Sequence, residues 1–163
     1  MELITLLEKG LWSGFAALGF AILFNVPQRT LAIIWMMGAI GGFCKFTLMN
    51  LEIGITVASL ASASLIGFIS VYAAHHQKSP PLIFSIPSVI PMVPGAFAYR
   101  MMLGFMKLLG EDISGNNYLN ILAETTNNGL KAIFILMALA AGVSIPMLLT
   151  RKETFKRIKR ENE

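Results

Sequence analysis

Apolar and polar residues along this chain segregate into long blocks rather than alternating at the short periods of a soluble fold. Uncharged stretches run at Gly10–Gln28, Thr30–Cys44, Ile53–Gln77, Ser79–Tyr99 and Ala132–Thr150. Each reaches or approaches the roughly 20 residues that carry a helix across the hydrocarbon core of a bilayer. Helix is the expected form, because a segment in lipid has to satisfy its own backbone polar groups. The pattern predicts five spans, near 5–24, 31–49, 53–74, 82–109 and 129–149. The fold class is thus all-α, a polytopic membrane protein with about five transmembrane helices. A transmembrane domain occupies 1–150 and a basic tail 151–163.

The fourth span departs from the others. At about 1.5 Å per residue it would be about 42 Å long as one helix, against a core of about 30 Å. It also carries Pro87, Pro91 and Pro94. Each interior proline costs a helix about 3 kcal/mol by deleting a donor and crowding the preceding turn. Two half-helices joined at a break are therefore expected. The donors removed would have reached the carbonyls of Ile83, Pro87 and Ile90, and such freed groups persist at membrane depth only when buried in protein or lining a polar cavity. Pro94 suits the first turn of a new helix. The amides of Gly95–Ala98 are then expected to be open at the positive end of the helix dipole, an arrangement that binds anions and holds substrate carboxylates in transporters. The competing reading is a kinked packing helix whose carbonyls are satisfied by neighbours. The candidate substrate-binding residues are Pro91, Pro94, Gly95, Ala96, Phe97, Ala98, Tyr99 and Arg100.

Arg100 lies about 14 Å from the outer end of its span, which strains a snorkelling side chain. A buried guanidinium needs an acceptor. Glu8, Glu52 and Glu124 sit near span ends, so a substrate carboxylate or an acid of a partner chain would serve, and structural pairing stays open. Lys45, near the outer end of the second span, is expected to snorkel. Thr125, Thr126, Asn127 and Asn128 are expected to cap or line the mouth of the fifth span. Ser144-Ile145-Pro146 predicts a second proline disruption, and Asn25-Val26-Pro27 a turn closing the first span.

Composition agrees: 55% of the residues are hydrophobic and 13% charged, too few charges to cover a soluble domain. The net charge of +4 comes mostly from the tail, and no aromatic-basic interleaving supports nucleic-acid binding. Arg29, Lys78 and the tail residues Arg151, Lys152, Lys156, Arg157, Lys159 and Arg160 fall on one side of a five-span topology. Glu52, Glu111, Asp112 and Glu124 fall on the other. The positive-inside rule then places the C-terminus in the cytoplasm and the N-terminus outside. Glu2, Glu8 and Lys9 replace the basic cluster of a secretory signal, so the first apolar run is expected to remain as a span. The tail would be drawn to anionic lipid but reads first as a topology anchor.

His75 and His76 are adjacent and cannot share a helix face, so no metal site is expected. Cys44 is the only cysteine and reads as a packing residue. No nucleotide-binding loop, dinucleotide fingerprint or nucleophile elbow occurs, which leaves no cofactor and no enzymatic chemistry to propose. Gly10-x-x-x-Gly14, Gly38-x-x-x-Gly42 and the small residues from Ala58 to Gly67 predict close helix packing, internally or against a partner.

Three segments carry a family likeness. They are Gly19-Phe20-Ala21 through Phe24-Asn25-Val26-Pro27-x-Arg29, Pro87-x-x-Ile90-Pro91-Met92-Val93-Pro94-Gly95-x-x-Ala98-Tyr99, and Gly142-x-Ser144-Ile145-Pro146. Together they resemble the small subunit of the bacterial threonine/serine exporter (ThrE-like) family. In that family the module forms the C-terminal half of longer exporters or pairs with a larger membrane subunit related to the N-terminal half. The resemblance implies secondary export of small carboxylate metabolites, threonine and serine or a succinate-like dicarboxylate, from the bacterial inner membrane as a hetero-complex. It supplies no catalytic residues. A scaffold subunit without substrate contacts and a homo-oligomeric channel are the alternative readings.

Overall fold

The computed structural model describes residues 3–110 and 116–161, with side chains described for 3–110 and 117–150. Glu111 and Asp112 of the fourth loop lie outside the described residues, as do the side chains of the basic tail. Among the described residues six α-helices follow in order: α1 (Leu3–Leu23), α2 (Leu31–Asn50), α3 (Ile55–Gln77), α4 (Leu82–Val89), α5 (Gly95–Gly110) and α6 (Asn116–Glu161). No strand occurs among the described residues. Helices α1, α2, α3 and α6 are each long and apolar enough to cross a membrane. Helix α4 and its following turn meet the same test together with α5, as one broken span. The molecule is an all-α polytopic membrane protein.

The connections between the first helices follow from local chemistry. Helix α1 ends with Asn25 in the left-handed region at φ 54°. The Val26 amide reaches the Ala21 carbonyl and the Asn25 amide reaches Ile22, both at 3.0 Å. This double bond pattern satisfies carbonyls that a helix end leaves open. The Asn25-Val26-Pro27 turn is thus where the sequence placed it. Helix α2 ends the same way with Glu52 at φ 62°, and α3 with Lys78 at φ 49°.

The chain divides into two compact units, Met1–Met92 with Ala138–Glu163, and Val93–Met137. In the first, the glycine pairs of α1 and α2 face each other. A Cβ on Gly14 would stand 2.8 Å from the Trp35 carbonyl oxygen, and one on Gly10 would stand 3.0 Å from Phe43 Cβ. Gly38 and Gly42 likewise face Ala17 and Ser13 of α1. Backbones approach this closely only over residues without side chains, which in lipid substitutes dispersion contact for the missing hydrophobic drive. Helix α3 offers a second small face: a Cβ on Gly142 would lie 2.8 Å from both the Leu60 carbonyl and Ala63 Cβ. Pro146 packs over Gly67 on that face. Here the expected disruption does not appear, because α6 continues through Pro146. The proline is accommodated as a packing residue, as prolines in membrane helices can be when neighbours re-satisfy the backbone.

The second unit corrects another expectation. The stretch 116–128, read as a polar loop ending in a cap, is already helix α6. Polarity alone does not stop a helix, and no glycine or proline interrupts residues 117–128.

Candidate functional site

The proline segment breaks the helix, though not at every proline. Pro87 is held inside α4, and the helical ladder ends at Val89. Ile90–Met92 form a short 3-10 turn, and α5 begins at Gly95. Pro94 starts the new helix by accepting from the Phe97 amide at 3.1 Å and the Ala98 amide at 3.2 Å. The Gly95 amide folds back onto the Val93 carbonyl at 2.9 Å. Three of the four amides expected to be open, those of Gly95, Phe97 and Ala98, therefore have backbone partners. The positive helix end is present, but the cradle of free donors is not. The closed turn around Pro94 consumes them.

Carbonyl groups set free by the break find a partner that the sequence reading missed. Lys45 of α2 donates from Nζ to the Met92 carbonyl oxygen at 2.9 Å. Its side chain is only 8% exposed, so it does not snorkel to the surface. About three turns away along α2, Ser88 Oγ donates to the Phe84 carbonyl at 2.8 Å and approaches the Ile34 carbonyl at 3.3 Å. The signal available in the sequence was the pairing of a lysine near the end of one span with a proline break that frees carbonyls in another.

Arg100 belongs to a different constellation, within the second unit. Arg100, Leu103, Gly104 and Lys107 lie on one face of α5 and line a cleft of about 130 Å³. Ile121, Glu124 and Thr125 of α6 line its other side. The spacing 100, 103, 104 and 107 is the i, i+3, i+4, i+7 stripe of a helix face, and 121, 124 and 125 repeat it. Thr125 is 1% exposed and donates to the Ile121 carbonyl at 2.6 Å. A Cβ on Gly104 would run into the Thr125 hydroxyl, so glycine is what lets α5 and α6 close here. Glu124, read from the sequence as a span-end acid remote from Arg100, shares this cleft with it. Among the described residues no ion pair joins Glu124 to Arg100 or Lys107.

The cleft therefore carries two cationic groups, one acid and one buried hydroxyl. Such a set can hold a small zwitterion or carboxylate: the guanidinium offers a planar fork to a carboxylate, and the acid can receive an ammonium. Of the substrate-binding residues picked from the sequence, only Arg100 lines it. Pro91 is half-buried and Pro94 buried, whereas Gly95, Ala96, Ala98 and Tyr99 are exposed. Phe97 is half-buried with the Lys131 ammonium 5.8 Å from its ring centroid. Thr125, expected to cap or line the mouth of the fifth span, is one of the lining residues; Lys107 was not picked out, although the seven-residue spacing from Arg100 was visible.

Helix α5 has no buried residue. Tyr99, Met102, Phe105, Met106 and Leu109 all present large apolar surface. The two histidines are exposed, and His75 Nδ1 lies 2.9 Å from the Val71 carbonyl oxygen.

Comparison with known proteins adds the following. A family model described as "Threonine/Serine exporter, ThrE" matches residues 9–149. An uncharacterized protein of Haemophilus influenzae is 29% identical over 147 residues, which cover 90% of this chain and 48% of that protein. The chain thus spans about half the length of this relative. No solved structure matches it.

Proposed function

Since the chain belongs to the threonine/serine exporter family, we propose that it is a subunit of a two-component secondary transporter that exports small carboxylate metabolites. Threonine, serine or a succinate-like dicarboxylate are the candidate substrates. The observation that carries the reading is the α5–α6 cleft, where Arg100 and Lys107 face Glu124 without forming an ion pair. Arg100, Lys107 and Glu124 are exposed, so any part of this face that meets lipid without a ligand or a partner is costly, and such ionisable groups mark substrate paths. A substrate carboxylate on Arg100 and Lys107 offsets that cost, with Thr125 and Glu124 available to the ammonium or hydroxyl of an amino acid.

The proline break supplies the second element. With Pro94, Gly95, Ala96, Phe97, Ala98 and Tyr99 leading directly into Arg100, a change in the turn re-aims the cleft face of α5. The dipole end at Gly95 adds a weak attraction for anions. The partner in this reading is a larger membrane subunit related to the N-terminal half of the family. It would cover the apolar face of α5. The pair resides in the bacterial inner membrane with the C-terminus of this chain in the cytoplasm. An ion gradient drives it, because no nucleotide-binding motif is present in the sequence.

Efflux of radiolabelled threonine, serine and succinate from cells expressing this chain with its partner tests the reading. Arg100→Gln should lower efflux about tenfold or more, the loss expected for one charge-assisted bond, with the amount of protein in the membrane unchanged. Undiminished efflux would show that the cleft does not carry substrate.

A further inference from the structure

Lys45 carries more bonding capacity than the break uses. Its ammonium has three donors, and the structure shows one of them taken, by Met92. No acid within ion-pairing distance of it appears among the described residues. A buried ammonium without a counter-charge is among the least favourable groups a membrane protein can hold.

Two hydroxyls in the same region are also unsatisfied. Ser59 and Ser62 of α3 are 0% exposed, and their Oγ atoms have no hydrogen-bond partner. Ser85 of α4 is in the same state, whereas other hydroxyls have an outlet within their own helix. Ser64, Ser70, Ser88, Thr47 and Thr125 each donate to a carbonyl three or four residues earlier, the normal outlet for a hydroxyl in a helix.

Helix register puts the three groups on facing stripes of α2 and α3. A Cβ on Gly41 would meet Ile66 and Met92, so Gly41 of α2, Ile66 of α3 and the Met92 side chain share one level. A short connection joins α2 to α3, and the two run antiparallel. One turn outward from that level lie Lys45, four residues after Gly41, and Ser62, four residues before Ile66. Ser59, seven before Ile66, continues the same stripe. The adjoining stripe, Leu60, Ala63 and Gly67, is taken by Gly142 and Pro146.

We propose that Lys45, Ser62 and Ser59 form a carboxylate-binding site inside the first unit, closed in this structure by the Met92 carbonyl oxygen on Lys45. The spare ammonium hydrogens and the two hydroxyl hydrogens can all donate. An acceptor-only ligand of single negative charge, a carboxylate, matches them, whereas a metal cation would meet the ammonium. The Met92 carbonyl stands in for one carboxylate oxygen, so ligand entry releases the last residue before the break. The identity of the ligand as exported substrate rests on the transport reading, but the site itself does not.

Binding is therefore measured without transport. The full chain in lipid nanodiscs is titrated with L-serine and with acetate and followed by saturation-transfer NMR of the ligand. Both probes are expected to bind. Ser62→Ala and Ser59→Ala, which only shorten a side chain, should each weaken binding about tenfold, the effect of one hydrogen bond to a charged group. Lys45→Met should abolish the same component of binding that Ser62→Ala and Ser59→Ala weaken. Equal affinity in the serine variants overturns the proposal. So does a wild-type chain that ignores both probes while carbodiimide couples Lys45 to an acid of a partner chain, since the counter-charge is then protein. Wild-type binding combined with absent efflux would instead refute the export reading and leave this site standing.

Discussion

Gly104 and Thr125 offer the sharpest test of how the cleft is held. A Cβ placed on Gly104 would lie 2.9 Å from Thr125 Cβ and 3.1 Å from its Cγ2, besides colliding with the hydroxyl. Rotating the threonine to clear the hydroxyl sacrifices its bond to the Ile121 carbonyl and does not move Cβ. Helix propensity works the other way, since glycine to alanine within a helix gains up to about 1 kcal/mol. The overlap has to outweigh that gain, and overpacking of this kind costs about 1–3 kcal/mol. We expect Gly104→Ala to be destabilising by about 1 kcal/mol net. Thr125→Ala alone removes one hydroxyl bond, about 0.5–1.5 kcal/mol in a membrane helix. The double variant should be more stable than the sum of the two predicts, with a coupling energy of at least about 1 kcal/mol. Reversible unfolding in mixed micelles by sodium dodecyl sulfate titration measures all four corners of this cycle. Additive effects, or a stabilising Gly104→Ala, would refute the packing argument and with it the close approach of α5 to α6 at the cleft.

Three further outcomes follow from the same geometry. Gly142→Leu drives a side chain into the Leu60 carbonyl and Ala63, and is expected to prevent stable accumulation in the membrane, measured by immunoblot, whereas Gly19→Leu, with open space around its Cβ, is tolerated. Lys107→Gln removes the more peripheral cleft cation and should raise the half-saturating internal substrate concentration for efflux severalfold while leaving the maximal rate nearly intact. For orientation, a Cys44→Ala chain carrying Ser79→Cys should react with a membrane-impermeant maleimide only after the cytoplasmic side is opened, and one carrying Glu52→Cys should react in intact cells with permeabilised outer membranes.

Much of this arrangement was legible in the sequence, for reasons of scale. Span number and the proline break depend on long apolar runs and on proline chemistry, which act regardless of neighbours. The glycine pairs of α1 and α2 were visible because close packing in lipid demands small residues at four-residue spacing. What escaped depends on tertiary register. Lys45 at a span end reads as a snorkelling residue until the free Met92 carbonyl is brought within 2.9 Å of it. Glu124 and Thr125 read as loop residues because polarity was taken for a helix end, although α6 had begun at Asn116. The expectation of open amides at Gly95–Ala98 overlooked that the first turn of a helix after proline closes on the proline carbonyl.

The central claim is that a small carboxylate leaves the cell past the broken segment that ends at Arg100. The direct measurement is efflux of labelled threonine, serine and succinate from cells carrying this chain with its partner, comparing wild type with the Pro94→Ala, Gly95→Leu double variant. That variant restores a donor to the Ile90 carbonyl and extends the helix through the break. The account predicts normal membrane insertion and loss of efflux for every substrate the wild type exports. Wild-type efflux from the inserted variant would contradict it.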